Sequence, residues 1–150
     1  MTVVCVDAGF LIGLYQESDQ YHTKAIQHFV EFFERGVNQL LVPWPTLYEA
    51  VSTRMVRNRN WIAALDQDWK RLRANRQLEF LNDQPYRVNA LDDCLAEIGR
   101  VPGHYRRLSV ADRVVRYMLA DTRLRIDALI TYNPADFRDT CIQYRRTLVS

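Results

Sequence analysis

Apolar positions along the chain alternate between two rhythms. Val3-Val4-Cys5-Val6 is a four-residue apolar run that stops at Asp7, the pattern of a strand buried on both faces. Ala8 to Tyr15 is apolar enough to predict a short buried helix. Helix signals resume at Ser18-Asp19. Ile26, Phe29, Val30, Phe33 and Val37 then recur at helical spacing, with Gly36 as a C-cap candidate. Leu40-Leu41-Val42 predicts a second strand, stopped by Pro43. A helix from about Thr46 carries Leu47, Ala50, Val51 and Met55 on one face, and another carries Trp61, Leu65, Trp69 and Leu72. Residues 85–88 predict a third, edge strand, and Leu91, Cys94, Leu95 and Ile98 one more helical stripe.

Residues 101–107 read as a loop. Ser109 opens a helix with Val110, Val114, Tyr117 and Met118 on one face, and residues 126–131 predict a strand. A last edge strand falls within residues 143–149. Strands alternating with helices predict an α/β fold around a mainly parallel sheet. No linker or internal repeat divides the chain, so residues 1–150 are read as one domain, a size that suits a single core.

Composition narrows this picture only a little. Hydrophobic residues make up 48% and charged residues 25%, which excludes a disordered chain. No apolar run reaches the ~18–20 residues that span a bilayer, and the start lacks the basic region of a signal peptide. The expected compartment is therefore the cytoplasm. Cys5, Cys94 and Cys141 are far apart and odd in number, which fits reduced thiols better than a disulfide framework. The net charge of +2 does not announce a nucleic-acid binder. Of the 20 basic residues, however, 18 are Arg, whose planar fork matches phosphate oxygens. A GC-rich genome would produce the same bias.

The carboxylates add chemistry. Asp7 ends the first strand, Glu49 follows the second, Asp112 lies in the first turn of the helix opened by Ser109, and Asn133 and Asp136 follow the strand before them. In a parallel α/β sheet, strand ends and the helix starts that follow them share one edge, where ligands bind. Carboxylates gathered there stay ionised together only with a cation. All-oxygen donors select Mg²⁺ or Mn²⁺, ions suited to phosphoryl chemistry. The same residues also fit helix caps. Thr46-x-x-Glu49 and Ser109-x-x-Asp112 match the capping box, Asn133-Pro134 matches an N-cap followed by proline, and Asp7 can cap the helix after it. Spacing alone does not choose between cap and ligand.

Five ordered segments bear on that choice. Val6-Asp7-Ala8-Gly9-Phe10-Leu11-Ile12 resembles the opening of the PIN-domain family, and Asp19-x-x-His22-x-x-Ala25 a stretch of its VapC-type members. Leu41-Val42-Pro43 through Leu47-Tyr48-Glu49-Ala50 is similar to the segment bearing the family's helix Glu. Leu108-Ser109-Val110-Ala111-Asp112 is similar to that bearing its third acid, and Thr131-Tyr132-Asn133-Pro134-Ala135-Asp136-Phe137 to its closing motif.

The resemblance implies a three-layer α/β/α sandwich and a Mg²⁺- or Mn²⁺-dependent ribonuclease, the toxin of a toxin–antitoxin pair. It carries over Asp7, Glu49 and Asp112 as metal-binding acids. Asn133 stands where many members have Asp, so Asn133 or Asp136 completes the site. It also implies a homodimer and an antitoxin protein whose tail lies over the active site; the acidic pocket leads to the expectation that this tail sets an Arg or Lys among the acids. The alternative is a PIN-like module that binds RNA or protein without cleaving.

Arg54 and Arg57 after Glu49, and Arg106, Arg107, Arg113 and Arg116 around Asp112, are candidates for RNA phosphates; the plainer reading is solvated helix faces. His104 and Tyr105 are weaker candidates for base contacts. Phe29, Phe32 and Phe33 are read as mostly core, with any surplus apolar surface there available to a partner.

Overall fold

Alternation along the central strand decides the layers. In the computed structural model, which describes residues 1–99 and 108–150, β1 (Val3–Val6) is buried at all four positions. Val4 and Val6 point to one face and Val3 and Cys5 to the other, as the two-residue period of a strand requires. On the first face they meet Phe10, Leu11 and Leu14 of α1 (Ala8–Tyr15), Phe29 of α2 (His22–Phe29), and Leu65, Trp69 and Leu72 of α5 (Arg59–Ala74). On the second they meet Val114, Val115, Met118 and Leu119 of α7 (Val110–Ala120) and Cys141 of α8 (Arg138–Gln143). Helices therefore cover both faces of one sheet.

The sheet contains β2 (Gln39–Pro43), β3 (Leu78–Leu81), β4 (Ala128–Ile130) and β5 (Thr147–Val149) besides β1, in the order β3-β2-β1-β4-β5. Every pairing is parallel, with Val4 facing Leu40 on one side and Ala128 on the other. The chain winds outward from β1 through β2 to β3, then returns to the other side of β1 with β4. This reversal opens a crevice at the carboxyl ends of β1 and β4. No helix among the described residues is long and apolar enough to cross a membrane.

Several elements differ from the sequence expectation. Residues 85–88 are not a strand: Pro85 sits in the first turn of a 3₁₀ helix (Gln84–Tyr86) that leads into α6 (Arg87–Ala96). A proline at a helix start is preorganised and loses no hydrogen bond. The edge strand is β3, whose Leu-Glu-Phe-Leu sequence is only partly buried. After Phe29 the helix widens into a π-helical turn (Val30–Arg35), which resets the apolar phase. Phe29 and Phe33 are core, while Ile26 and Val37 are exposed. Gly36 ends this turn in an extended conformation, φ −95°. A Cβ there would lie 2.9 Å from the Phe32 carbonyl oxygen, so the close approach itself requires glycine.

The helix expected from Thr46 starts earlier, as α3 (Trp44–Ala50), and breaks before α4 (Thr53–Arg57). Thr46 is not its cap. Its hydroxyl donates to the Val6 carbonyl at 3.2 Å, inside the protein. The stripe on α6 is turned outward: Ala90 is buried, whereas Val88, Leu91, Leu95 and Ile98 are exposed.

Candidate active site at the carboxyl edge of the sheet

Asp7 follows directly on β1, and its backbone N–H donates to Ile130 of β4, so it stands at the mouth of the crevice. The residue is 7% exposed. Oδ1 accepts from the Ala8 N–H at 2.8 Å, and Oδ2 accepts from the Thr131 hydroxyl at 3.0 Å. The same hydroxyl accepts the Asn133 N–H at 3.1 Å, which directs its proton toward Asp7. Asp7 thus caps α1 and is oriented by Thr131, a buried residue that the sequence reading placed in a motif but gave no role.

Glu49 reaches the same edge through Thr46. The Thr46–Val6 hydrogen bond fixes the start of α3 to the end of β1, and Glu49 lies three residues further along that helix. Asp112 occupies the first turn of α7. Its N–H donates to Ser109 Oγ at 3.0 Å, and its Oδ2 accepts weakly from the Ser109 N–H at 3.4 Å, a full capping box. Asn133 is exposed beyond β4, and Asp136 lies in the following 3₁₀ turn (Pro134–Asp136). Arg116 of α7 holds that turn: it donates to the Asp136 carbonyl at 2.6 Å and forks onto the Asp139 carboxylate at 2.7 and 2.8 Å.

These acids feel one another. Burial raises the Asp7 pKa above the usual carboxylate value, and the negative charges of Asp112 and Asp136 raise it further. The hydrogen bonds from Ala8 and Thr131 act the other way. Glu49 is exposed as a residue, yet partial desolvation of its carboxyl raises its pKa, and Asp112 and Asp7 add to the shift. Four acids from four distant segments therefore share one field of like charge.

The arginines divide into two groups. Arg54 and Arg57 are exposed on α4; Arg54 lies over the Trp61 ring, 5.8 Å from its centroid, and donates to Ser18 at 3.4 Å. Arg113 is turned inward, ion-paired with the buried Glu97 at 3.0 Å and donating from Nε to the Leu108 carbonyl at 3.1 Å. Arg116 is engaged as described above. Arg106, Arg107, His104 and Tyr105 lie outside the described residues.

Among the described residues, no group of three or more His, Cys, Asp or Glu side chains is drawn close enough to hold a metal ion. The donor set nevertheless fits a hard divalent cation in its chemistry, being all oxygen and mutually repulsive. Capping does not remove Asp112 from that set, because its box engages Oδ2 only, and a carboxylate has two oxygens.

No family model and no curated protein matches the chain. Solved structures do. VapC20 of Mycobacterium tuberculosis, described as a sarcin–ricin loop-cleaving toxin, superimposes with a TM-score of 0.60 at 14% identity, over 91% of this chain and 94% of that one. VapBC2 from Rickettsia felis, bound to a DNA fragment from its promoter, gives 0.53 at 9% identity, over 98% and 97%. The chain therefore has the PIN-like fold of VapC toxins along nearly its whole length.

Proposed function

We propose that the protein is a Mg²⁺- or Mn²⁺-dependent endoribonuclease and the toxin of a type II toxin–antitoxin pair. One observation carries this reading: Asp7 at the end of β1, Glu49 on the helix that Thr46 ties to β1, Asp112 in the first turn of α7 and Asp136 after β4, far apart in sequence, come to the carboxyl edge of a PIN-like sheet. Asp7, Glu49 and Asp112 would hold the cation, with Asn133 or Asp136 completing the site. A bound divalent cation would neutralise the acids and supply an acidified water for attack on a phosphodiester. Thr131 keeps Asp7 an acceptor, and Arg116 fixes the turn that carries Asp136. Arg54 and Arg57 would bind phosphates, a role that needs exposed guanidinium groups. Arg113, committed to Glu97, contributes to the fold instead.

The partners that go with this reading are an RNA substrate, a second copy of the chain and an antitoxin that lays a basic side chain among the acids. The purified protein is expected to cut RNA with Mg²⁺ or Mn²⁺ and to stop with EDTA. Cleavage that survives chelation and exhaustive dialysis would exclude the metal mechanism. The second reading, a non-cleaving binding module, is favoured by one observation, that the acids are not gathered as a ligand set. Divalent-ion titration followed by melting separates the two: a nuclease of this type is stabilised by the ion, through linkage.

A further inference from the structure

The crevice of acids continues into an apolar cleft of about 270 Å³. Glu49 belongs to both. Pro45 and Tyr48 of α3 form one wall, and Val110 and Val114 of α7 the other. At the far rim the Arg87 guanidinium donates through Nε and Nη2 to the two Asp83 oxygens, at 3.0 and 2.8 Å. That carboxylate is held below its usual pKa by the Arg87 hydrogen bonds, so it remains an ionised acceptor.

Tyr48 is the unusual member. It is 69% exposed, far more than a side chain needed for the core. Its ring is nevertheless supported from behind. Tyr48 packs on Trp44 at 5.8 Å between centroids, Trp44 on Phe80 at 5.5 Å, and Phe80 on Trp69 at 5.6 Å. An exposed ring backed on one side by other rings leaves its outer surface open for a flat ligand to stack on.

We propose that this cleft is a nucleobase subsite, in which Tyr48 stacks on a base next to the phosphate held at the acids. The inference rests on the ribonuclease reading and names how that site would grip its substrate. Three features favour a base over other occupants. The cleft shares Glu49 with the acids, so whatever fills it is continuous with the reacting group. Its volume lies just below the ~300–1,000 Å³ of pockets that take drug-sized ligands, which suits one planar ring system. Its walls are apolar, and at its rim the exposed Arg87 guanidinium keeps N–H groups beyond the two it gives to the buried Asp83, a combination that matches a base with flat faces and an acceptor on its edge. Unpaired bases are the ones that can be splayed out in this way, so the substrate class is single-stranded or looped RNA.

The test is equilibrium binding of fluorescein-labelled single-stranded hexanucleotides, measured in Ca²⁺ and in EDTA, to wild type, Tyr48→Ala and Tyr48→Phe. A matched set of hexanucleotides carries one abasic position, moved along the strand. Because Tyr48 is exposed, both variants are expected to melt with wild type. Tyr48→Ala should weaken binding about 5- to 160-fold, the range of one base–aromatic stack, while Tyr48→Phe keeps most of it. In wild type one abasic position should cost a similar factor, and that cost should vanish in Tyr48→Ala. If wild type binds and cleaves RNA but Tyr48→Ala binds equally well, the subsite is overturned, the ribonuclease reading stands, and the cleft is left to an apolar protein side chain. If wild type binds no hexanucleotide in either condition and cleaves none in Mg²⁺, both fall together.

Discussion

Asp112 and Arg113 are neighbours on α7, yet they face opposite electrostatic worlds. Asp112 looks toward Asp7 and Glu49, whose pKa values it raises. Arg113 looks back to Glu97, where a buried cation meets a buried anion at 3.0 Å. On the front edge like charges are held together against their repulsion. Behind it, opposite charges are paired, and Arg113 Nε also donates to the Leu108 carbonyl. The front arrangement carries an electrostatic penalty beside the caps that Asp7 and Asp112 provide, because repulsion among apo carboxylates costs free energy. A protein has every reason to complete the rear one, because a buried charge without its partner is strongly destabilising. The contrast predicts that removing a charge in front harms function, and that removing one behind harms folding.

The largest effect belongs to the front. Asp7→Asn keeps the shape but removes the charge, and its single amide oxygen can serve the Ala8 N–H or the Thr131 hydroxyl, not both. Cleavage in Mg²⁺ is expected to fall by roughly three orders of magnitude, since the acid that would hold the ion is neutralised. Melting in EDTA should change little, because relief of repulsion is set against the lost acceptor. A variant that cuts at the wild-type rate would remove Asp7 from the site.

The next effect belongs to the rear. Glu97→Ala leaves Arg113 buried without its ion-pair partner and is expected to cost about 3–5 kcal/mol in urea unfolding. Replacing both partners, as Glu97→Leu with Arg113→Met, should recover most of that loss, since apolar side chains of similar volume are often neutral at such positions. If the double replacement is as unstable as Glu97→Ala, the cost comes from packing rather than from an unpaired charge.

How much of this contrast is legible in the sequence depends on the range of the interaction. The front acids are legible because each follows a strand or opens a helix, and local pattern places them at one sheet edge. The same locality explains why α1 and the opening of α7 match the expectation so closely. The rear pair is not legible. Arg113 follows Asp112 and reads as another basic residue near the acids; only the packing of α6 and its 3₁₀ extension (Glu97–Gly99) against α7 shows it turned inward. For a similar reason the sequence gives Thr131 no role and makes Thr46 read as a helix cap. Each acts through a contact 124 or 40 residues away in the chain. The apolar stripe of α6 shows the limit of periodicity itself. It predicts a helix correctly but not which stripe the fold buries, and here small Ala90 faces the core while Leu91, Leu95 and Ile98 face out.

Acid titration of the metal-free protein should separate the two kinds of charge by sign. A carboxyl whose pKa is raised on folding binds its proton more tightly in the folded state. Its penalty is in full force above the raised value and is relieved as the pH falls through it. In EDTA, the repulsion at Asp7 and Glu49 should therefore weaken between neutrality and the usual carboxylate range near ~4. Asp83, which Arg87 holds below that range, acts the other way: its contribution is present above the unfolded value and is lost as the pH falls through the lowered one. The expected curve shows a relative gain on mild acidification, then a loss. Asp7→Asn with Glu49→Gln should flatten the gain, and Asp83→Asn should reduce the loss, part of which belongs to Asp121, held well below the usual carboxylate range by Arg123. A wild-type melting curve that falls steadily from pH 7, with the double variant parallel to it, would mean that the front acids do not repel appreciably.

The smallest effect concerns Asp112, where capping and charge reside on one side chain. Asp112→Asn keeps an oxygen for the Ser109 N–H but removes the charge, whereas Asp112→Ala removes both. In EDTA the asparagine variant should equal or slightly exceed wild type, since only repulsion has been lost. The alanine variant should fall below it by about 0.5–1 kcal/mol, toward the lower end of what helix caps contribute, because the Ser109 hydroxyl still accepts the N–H of residue 112. Both variants should lose cleavage to a similar extent. Equal stability of the two would make the 3.4 Å contact to Ser109 energetically empty and leave the charge as the only role of Asp112. A clear drop in stability for both, with cleavage retained, would make it a cap alone, and the front cluster would then consist of Asp7, Glu49 and Asp136.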